Sequence, residues 1–237
     1  MKAMLLAAGL GTRLKPFTDY HPKALAIVNG KSLLQRNIEY LQQFGITEIV
    51  VNVHHFAGQI IDAVTANNGW GSTVTISDET DAVLETGGGL QKAMHLLQSE
   101  SDFVLMNADM LTNLNLTAMI AAHKKQQPLA TLAVTKRTSS RVFLFDTQLI
   151  LCGWRNTVTG EEKLPRTAAT YMPLAFSGVH IINSAIFSLL KPGKYSMVDV
   201  YLAHAATHTI QGFDHTGDIL LDVGKPDALA KAATLFA

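Results

Sequence analysis

Short apolar runs alternate with helical patterns along the first half of the chain. Each run has the length of a strand, and the run Ile49 to Val53 is also rich in β-branched residues. Each helical pattern repeats apolar residues every three or four positions. This alternation predicts an α/β fold with a mainly parallel sheet, helices on both faces and ligands at the carboxyl ends of the strands. The predicted strands are Lys2 to Ala7, Ile49 to Val53, Val74 to Ser77 and Phe103 to Met106, and the predicted helices cover Leu34 to Leu41, Phe56 to Val64 and Gly89 to Leu97.

The pattern changes after about residue 130. Strand-like runs follow one another there with little helix between them, which predicts a β-rich extension of the sheet. No repeat, low-complexity tract or linker separates the two regions, so we expect a single domain over residues 1–237, with one region over residues 1–130 and another over residues 131–237. The predicted elements are strands at Ala130 to Thr135, Val142 to Asp146, Leu149 to Trp154 and Phe176 to Ile182, helical stretches at Ser184 to Leu190 and Met197 to His208, paired strands at Ile210 to Phe213 and Ile219 to Val223, and a helix from Pro226 to Phe236.

Composition narrows the classes of protein that this chain can be. Of its 237 residues 48% are hydrophobic, which is enough for a buried core. Nineteen Lys and Arg balance nineteen Asp and Glu, so no general affinity for nucleic acid is expected. The single cysteine, Cys152, excludes an intramolecular disulfide and is typical of a reducing compartment. The longest apolar opening, Met4 to Leu10, is far shorter than the roughly 20 residues that span a bilayer. We therefore expect a cytoplasmic protein with no membrane partner.

A loop with two glycines follows the first predicted strand, in the stretch LLAAGLGTRL. Gly9 and Gly11 let the backbone approach an anion, and the exposed N–H groups of such a loop bind phosphate oxygens. A dinucleotide-binding fingerprint would need a third glycine where Leu14 stands, and a P-loop ending in the later GKS would need glycine at Leu25. Neither standard loop fits, which argues against an NAD(P)-binding oxidoreductase.

Three cations, Arg13, Lys15 and Lys23, lie within eleven residues beside this loop. A guanidinium can grip a phosphate with two hydrogen bonds, and a lysine supplies a compact point charge. The alternative is that these side chains are solvated on the surface, as most lysines and arginines are. The neighbouring glycines favour phosphate contacts for Arg13 and Lys23.

The segment from Met4 to Leu34 resembles the signature of the sugar-1-phosphate nucleotidyltransferases, LAAGxGTRLxPLTxxxPKxLxPVxGKPLL. The departures are Phe17, Ile27 and Ser32, none of them at a charged or glycine position. The resemblance implies a Rossmann-like fold of the nucleotide-diphospho-sugar transferase type, in which residues 1–130 bind the nucleotide and residues 131–237 bind the sugar. It implies nucleotide contacts at Leu6, Ala7, Ala8, Gly9, Gly11, Thr12, Arg13 and Lys23.

A second glycine cluster, LETGGG, opens a predicted helix. On its own it is also compatible with a tight turn at a helix N-terminus. It resembles the N-acetylmuramate-1-phosphate uridylyltransferase branch of the same family. This implies that Glu85, Thr86, Gly87 and Gly88 line the base and ribose, and that Asn107 contacts the nucleotide.

Two aspartates end predicted strands at the edge where ligands are expected. Asp109 follows the run Phe103 to Met106, and Asp222 ends another strand just before Pro226. Mg²⁺ favours one or two carboxylates and keeps its other sites for water and phosphate oxygens. Without the resemblance, a helix cap or turn role is equally compatible with each aspartate. The resemblance implies that both are Mg²⁺ ligands.

The sugar side of the site is implied by two weaker similarities. Glu162 and Lys163 resemble an EKP element that binds the sugar phosphate, although Leu164 separates the lysine from the proline here. Gly178 resembles a glycine that lets the sugar approach a strand. Strand packing or a bulge would also account for Gly178.

The reaction that the resemblance implies is nucleotidyl transfer. A sugar 1-phosphate attacks the α-phosphorus of a nucleoside triphosphate, and pyrophosphate leaves. Arg13, Lys23 and Asp109 are the expected catalytic residues. UTP and N-acetylmuramate 1-phosphate are the favoured substrates, which would place the enzyme in peptidoglycan recycling.

Two alternatives stay open at this point. One is guanylyl transfer to mannose or heptose 1-phosphate, and the other is a noncatalytic nucleotide-sugar sensor. The oligomeric state is open too. His204 and His208 have helical spacing, but no HExxH pattern completes a zinc site. We expect no catalytic role for His54 or His55.

Overall fold

A computed structural model describes residues 1–224 and 226–236 of the chain. The strands are β1 (Ala3–Leu6), β2 (Ile27–Val28), β3 (Lys31–Ser32), β4 (Glu48–Val53), β5 (Thr73–Asp78), β6 (Asp102–Asn107), β7 (Met110–Thr112), β8 (Ala130–Thr135), β9 (Arg141–Phe145), β10 (Leu151–Asn156), β11 (Glu162–Lys163), β12 (Met172–Asn183), β13 (Ile210–Asp214) and β14 (Leu220–Asp222). The α-helices are α1 (Leu33–Gln42), α2 (Ala57–Ala66), α3 (Glu85–Lys92), α4 (Met94–Leu97), α5 (Leu116–Gln126), α6 (Met197–His204) and α7 (Pro226–Leu235).

The centre of the molecule is a parallel sheet in the order β5-β4-β1-β6. The long strand β12 joins β6 in antiparallel direction and carries β8 on its other side, and β13 then pairs with β8 in parallel. The first residues of β12 also begin an antiparallel extension through β9, β10 and β11. The predicted parallel sheet with a β-rich extension is therefore confirmed.

Alternating side chains of the central strands enter two hydrophobic cores on opposite faces of the sheet. Ala3 and Leu5 face α1, α2 and α5, whereas Met4 faces α3, α4 and α6. All three are fully buried, and burial of a large apolar side chain contributes about 1.5 to 3 kcal/mol relative to exposure. The predicted helices on both faces are confirmed.

A third, smaller core lies under the loops at the carboxyl edge of the sheet. It contains Leu14, Leu33, Leu111 and Val223, and α7 packs against it through Ala232. The helix α7 begins at Pro226, as predicted. This core brings together segments that are more than 200 residues apart in the chain.

Several elements differ from the pattern-based prediction. The pattern does not predict β7 or α5, because β7 has only three residues and α5 mixes buried apolar positions with small and polar ones. The helix predicted at Gly89 starts earlier, at Glu85, and is interrupted at Ala93. The stretch Ser184–Leu189 is a 3-10 helix, and α6 ends at His204 rather than His208.

The two last strands do not pair with each other as predicted. β13 adds to the main sheet beside β8, whereas β14 forms a separate antiparallel pair with β7. The turn between β13 and β14 therefore connects the main sheet to the two-stranded sheet of β7 and β14. The predicted boundary near residue 130 coincides with the start of β8, but the main sheet continues across it, so the division into a nucleotide region and a sugar region stays a prediction. Among the described residues, no helix is both long and apolar enough to cross a membrane.

A buried histidine makes the stability of this fold depend on pH. His180 on β12 is 2% exposed, its Nδ1 lies 2.6 Å from the hydroxyl of Tyr201, and burial lowers the pKa of His180 to about 3. Below pH 6.5 the unfolded chain takes up a proton on this histidine that the folded chain does not, so the free energy of unfolding falls as the pH drops from 6.5 towards 3.

We expect His180 alone to cost about 2 kcal/mol of unfolding free energy between pH 7 and pH 5. Urea unfolding of the wild type and of His180→Gln at both pH values measures this contribution, as the difference between the pH dependences of the two unfolding free energies. Burial also lowers the pKa of His123 and of His215, which act in the same direction, but their contributions cancel in the comparison. An equal pH dependence in both proteins would contradict the prediction.

Candidate active site

A cleft of about 260 Å³ opens where β1, β4 and β6 end. Leu6 is in register with Asn52 on one side and with Asn107 on the other, so three chain segments leave the sheet at the same level. The predicted site residues that line the cleft are Leu6, Ala7, Ala8, Gly9, Lys23, Glu85, Thr86, Asn107 and Asp109. Ala24, Asn52, Glu79, Val83 and Ala108 line it as well and were not predicted.

The glycine loop is held in shape by packing behind it. Gly11 has φ +63°, and a Cβ there would lie 2.8 Å from Thr18 Cγ2 and 3.0 Å from Lys23 Cβ. The buried hydroxyl of Thr18 donates a hydrogen bond of 2.9 Å to the Gly11 carbonyl. Gly11 therefore allows Lys23 to pack directly behind the loop. Gly11, Thr12 and Arg13 do not line the cleft; Arg13 lines an adjoining pocket together with Asp222 and Gly224, and we call this side the rim.

Asn52 is a site residue that the sequence reasoning missed. Its Oδ1 accepts hydrogen bonds from the N–H groups of Ala7, at 2.7 Å, and Ala8, at 3.3 Å. These two amides are therefore occupied, and the loop amides that can hold a phosphate begin after Ala8. The signal was present in the sequence, since Asn52 is a polar residue inside the apolar run from Ile49 to Val53.

Glu79 is the second residue that was missed. It is 1% exposed, and Asn52 Nδ2 donates a hydrogen bond of 2.7 Å to its Oε1. Burial raises the pKa of Glu79. A Cβ on Gly89 would lie 2.6 Å from Glu79 Oε1, so this glycine makes room for the carboxyl group. Glu79 and Glu85 both line the cleft, which gives it two carboxyl groups.

Four charged side chains meet beside the cleft, where Lys23 and Asp109 line the cleft itself and Arg13 and Asp222 line an adjoining pocket. Lys23 Nζ forms an ion pair with Asp109 Oδ2 and lies 3.8 Å from Asp222 Oδ1, while Arg13 Nη2 lies 3.5 Å from Asp222 Oδ2. The β7–β14 pairing aligns Asp222 with Met110, and the Val223 N–H donates to the Asp109 carbonyl at 2.9 Å. We call Arg13, Lys23, Asp109 and Asp222 the ionic cluster.

The ionic cluster fits a divalent cation. The Lys23 ammonium lies between the two carboxylates, so this position already accepts positive charge. Asp109 and Asp222 are 29% and 40% exposed, which leaves room for water and phosphate oxygens as further ligands. Their predicted role as Mg²⁺ ligands stays a prediction that this geometry supports.

Gly87 and Gly88 are packed inside α3, and their predicted contact with the base and ribose stays a prediction. They are buried in α3, where a Cβ on Gly87 would lie 2.5 Å from the Tyr195 ring and one on Gly88 would lie 2.0 Å from the Gly193 carbonyl oxygen. Both amides donate to the Tyr195 carbonyl, at 2.9 and 3.3 Å, and the Thr86 hydroxyl accepts the Met197 N–H at 2.8 Å. These glycines allow close packing of the segment before α6 and do not line the cleft.

The sugar-side residues are only partly brought to the cleft. Gly178 has φ +76°, and a Cβ there would lie 2.6 Å from Met110 Cγ and 3.1 Å from Asn107 Nδ2. It sits at an irregularity of β12, beside the residues that flank Asp109. Glu162 and Lys163 lie on the edge strand β11, where Arg155 Nε donates to Glu162 Oε1 at 2.6 Å and Lys163 Nζ lies 5.8 Å from the Trp154 ring centre. They do not line the cleft.

The histidines contribute no metal site. The rings of His204 and His208 lie 5.7 Å apart, and no group of three or more His, Cys, Asp or Glu side chains in the described part of the chain could hold a metal ion. His54 Nδ1 lies 2.7 Å from the Glu79 carbonyl, and the His55 ring lies 4.0 Å from the Phe56 ring. His54 thus helps to hold the segment that carries Glu79.

Comparisons with known proteins agree with this geometry. A family model described as Nucleotidyl transferase matches residues 2–236. The chain is 30% identical over 236 residues to an N-acetylmuramate alpha-1-phosphate uridylyltransferase of Neisseria meningitidis, covering 99% of this chain and 98% of the relative. It is 32% identical over 240 residues to the protein of the same description from Caulobacter vibrioides, covering 98% and 96%. The crystal structure of HddC from Yersinia pseudotuberculosis complexed with GMP-PN shares the fold, with a TM-score of 0.81, 24% identity and coverage of 100% and 99%.

The packing of α3 yields a prediction about stability. Gly88→Ala places a methyl group against the Gly193 carbonyl, so we expect the free energy of unfolding to fall by about 1 to 3 kcal/mol. Gly58→Ala is the matched control, because Gly58 lies inside α2 with open space around it and should gain about 0.5 to 1 kcal/mol. Chemical denaturation of both variants measures the two changes. Equal stability of Gly88→Ala and the wild type would mean that the segment at Gly193 moves freely away from α3.

Proposed function

The chain belongs to the nucleotidyl transferase family, and we propose that within it the chain transfers a uridylyl group from UTP to N-acetylmuramate 1-phosphate. The observation that carries the proposal is the ionic cluster beside the cleft, since it joins two cations and two carboxylates where phosphates and a divalent ion would meet. Similarity to two uridylyltransferases along nearly the whole chain supports the choice of substrates.

The proposed reaction needs alignment and charge neutralisation rather than an activated side chain. An oxygen of the sugar phosphate bonds to the α-phosphorus of the triphosphate, the bond from that phosphorus to the bridging oxygen breaks, and pyrophosphate leaves with the electron pair. A phosphate monoester is already a nucleophile near neutral pH. The protein therefore has to hold two anions in line and compensate their charge.

Each member of the ionic cluster has a role in this step. Lys23 is 11% exposed and held from behind by Gly11, so its ammonium can contact the phosphates of both substrates. Arg13 lies on the rim, where its guanidinium can bind the β- and γ-phosphates together with the loop amides from Gly9 to Thr12. Asp109 and Asp222 would hold Mg²⁺, which neutralises charge on the α-phosphate when bound.

Two carboxyl groups line the cleft, those of Glu79 and Glu85, and the Glu79 carboxyl is oriented by Asn52. Glu79 comes directly after β5, three strands away from the strand β6 that precedes Asp109, and we call that side of the cleft the base end. Carboxyl oxygens accept hydrogen bonds, and each of the four bases presents an N–H donor on its pairing edge, from a ring N–H or an exocyclic amino group. The carboxyl groups can therefore hold a base, while the choice of UTP rests on the similarity to the two uridylyltransferases.

Guanylyl transfer is the alternative that a specific observation favours. The fold is shared with HddC, whose structure was determined with GMP-PN. A noncatalytic sensor is a weaker alternative, because it would have no need for two carboxylates and two cations at one point.

Pyrophosphate release tests the proposed function directly. The purified chain is incubated with Mg²⁺, each of the four nucleoside triphosphates and a panel of sugar 1-phosphates. We expect the highest rate with UTP and N-acetylmuramate 1-phosphate. A different productive pair would refute the proposed substrates, and nucleotide binding without any release would refute the proposed catalysis.

Removal of a proposed metal ligand should abolish turnover. We expect Asp109→Ala to lower kcat by several orders of magnitude in the presence of Mg²⁺, because the α-phosphate loses its counter-charge. Asp81→Ala is the control, since Asp81 also carries a carboxylate but is 93% exposed and lies 3.9 Å from its partner Lys92. Circular dichroism checks that both variants fold. A near wild-type rate for Asp109→Ala would remove this residue from the site.

Removal of the Arg13 charge should mainly weaken the binding of the triphosphate. We expect Arg13→Ala to weaken UTP binding about 10- to 100-fold, the size of one charge-assisted contact. Lys15→Ala is the neighbouring control, because Lys15 Nζ pairs locally with Asp19 at 2.9 Å. Titration with UTP and Mg²⁺ measures both affinities. If both variants bind UTP as the wild type does, Arg13 has no role in holding the triphosphate.

A further inference from the structure

The chain segment that carries Arg137 leaves the sheet at the same edge as the cleft. Arg137 comes two residues after Thr135, the last residue of β8. β8 and β6 both run antiparallel to β12, which lies between them, so the carboxyl ends of β8 and β6 point to one edge. Two strand spacings separate them, or about 10 Å. Arg137 is therefore placed on the side of Asn107 and Asp109 that faces away from the base end.

A hydrogen bond fixes the guanidinium beside the irregular part of β12. Arg137 Nη2 donates to the Phe176 carbonyl at 2.9 Å. Phe176 is two residues before Gly178, which lies against Asn107 and Met110. Ser177 lies between these two residues. It is buried, and its hydroxyl lies 2.7 Å from His215 Nε2, which holds it in place. The carbonyl that holds Arg137 thus belongs to a well-supported segment.

The charge of Arg137 is not compensated by a carboxylate within residues 1–224 and 226–236. Arg13 and Lys23, by contrast, lie beside Asp222, and Arg155 pairs with Glu162, while Lys163 lies over the Trp154 ring. Arg137 is exposed and uses one of its five N–H donors on Phe176. The remaining donors are available to an anion on the sugar side of the cleft.

We propose that Arg137 is a specificity residue that binds a carboxylate on the sugar, so that the enzyme selects an acidic sugar 1-phosphate over a neutral one. The proposal rests on the proposed function. A planar guanidinium binds a carboxylate with two parallel hydrogen bonds, and the contact with Phe176 holds the side chain ready for it. N-acetylmuramate carries such a carboxylate on its lactyl ether, which N-acetylglucosamine lacks. The phosphates of both sugars still interact with the ionic cluster, and only the carboxylate reaches Arg137.

The test compares two sugars that differ only in that lactyl group. Uridylyl transfer to N-acetylmuramate 1-phosphate and to N-acetylglucosamine 1-phosphate is measured with UTP and Mg²⁺ for the wild type, Arg137→Gln, Arg137→Lys and Arg141→Gln. We expect Arg137→Gln to lower kcat/KM about 10- to 100-fold for the acidic sugar and to leave the neutral sugar unchanged. Arg137→Lys should keep some of the preference. Arg141→Gln removes an exposed charge from the start of β9 and should change neither value.

A binding measurement separates a specificity role from a structural one. Calorimetric titration with each sugar phosphate alone, without nucleotide, should show the same selective loss of affinity in Arg137→Gln, and thermal unfolding should match the wild type. An equal loss for both sugars, or no loss for either, would overturn the role of Arg137 while uridylyl transfer itself still stands. A wild type that uses only neutral sugars would overturn both this role and the proposed substrate.

Discussion

The juxtaposition of two carboxylates is the constraint around which the edge of this sheet is organised. Asp109 and Asp222 are 113 positions apart in the chain, yet they border the same ammonium group. Like charges at this distance repel strongly in a half-buried site unless a cation lies between them. Lys23 supplies that cation, and Arg13 compensates the outer side of Asp222. The four charges cancel, in keeping with a chain whose net charge is zero.

The position of this cluster depends on a hydrophobic core rather than on the charges themselves. Leu14 adjoins Arg13, Leu111 lies in the strand that follows Asp109, and Val223 adjoins Asp222, and all three are buried in the third core. The Arg13–Asp222 pair is exposed, and ion pairs at exposed positions contribute little stability. The apolar neighbours therefore hold the charged side chains in place, and the charges remain available for exchange with phosphate oxygens and a metal ion.

Charge is distributed along this edge of the sheet, from Glu79 after β5 past the ionic cluster to Arg137 after β8, in the order in which the proposed substrates would need it. Carboxyl groups at the base end suit N–H donors, the mixed cluster in the middle suits phosphates with a divalent ion, and Arg137 suits an anion on the sugar. The glycines have equally distinct roles. Gly11 and Gly178 let neighbouring segments approach the cleft, whereas Gly87 and Gly88 serve the packing of α3. Glycine therefore has different structural roles at different positions, and a sequence motif alone does not tell these roles apart.

The sequence by itself determined the parallel sheet, the helices on its two faces, the glycine loop after β1 and the aspartates at the ends of strands. Each of these follows from local information, because the periodicity of apolar residues records which face of an element is buried and strand ends converge in such a sheet. Only the tertiary structure decided that β14 pairs with β7, that Asn52 occupies the amides of Ala7 and Ala8, and that Arg137 lies beside Phe176. These contacts join residues from 39 to more than 100 positions apart. These contacts form only when strands and helices from distant parts of the chain pack together, and the spacing of residues along the chain does not indicate which of them will meet.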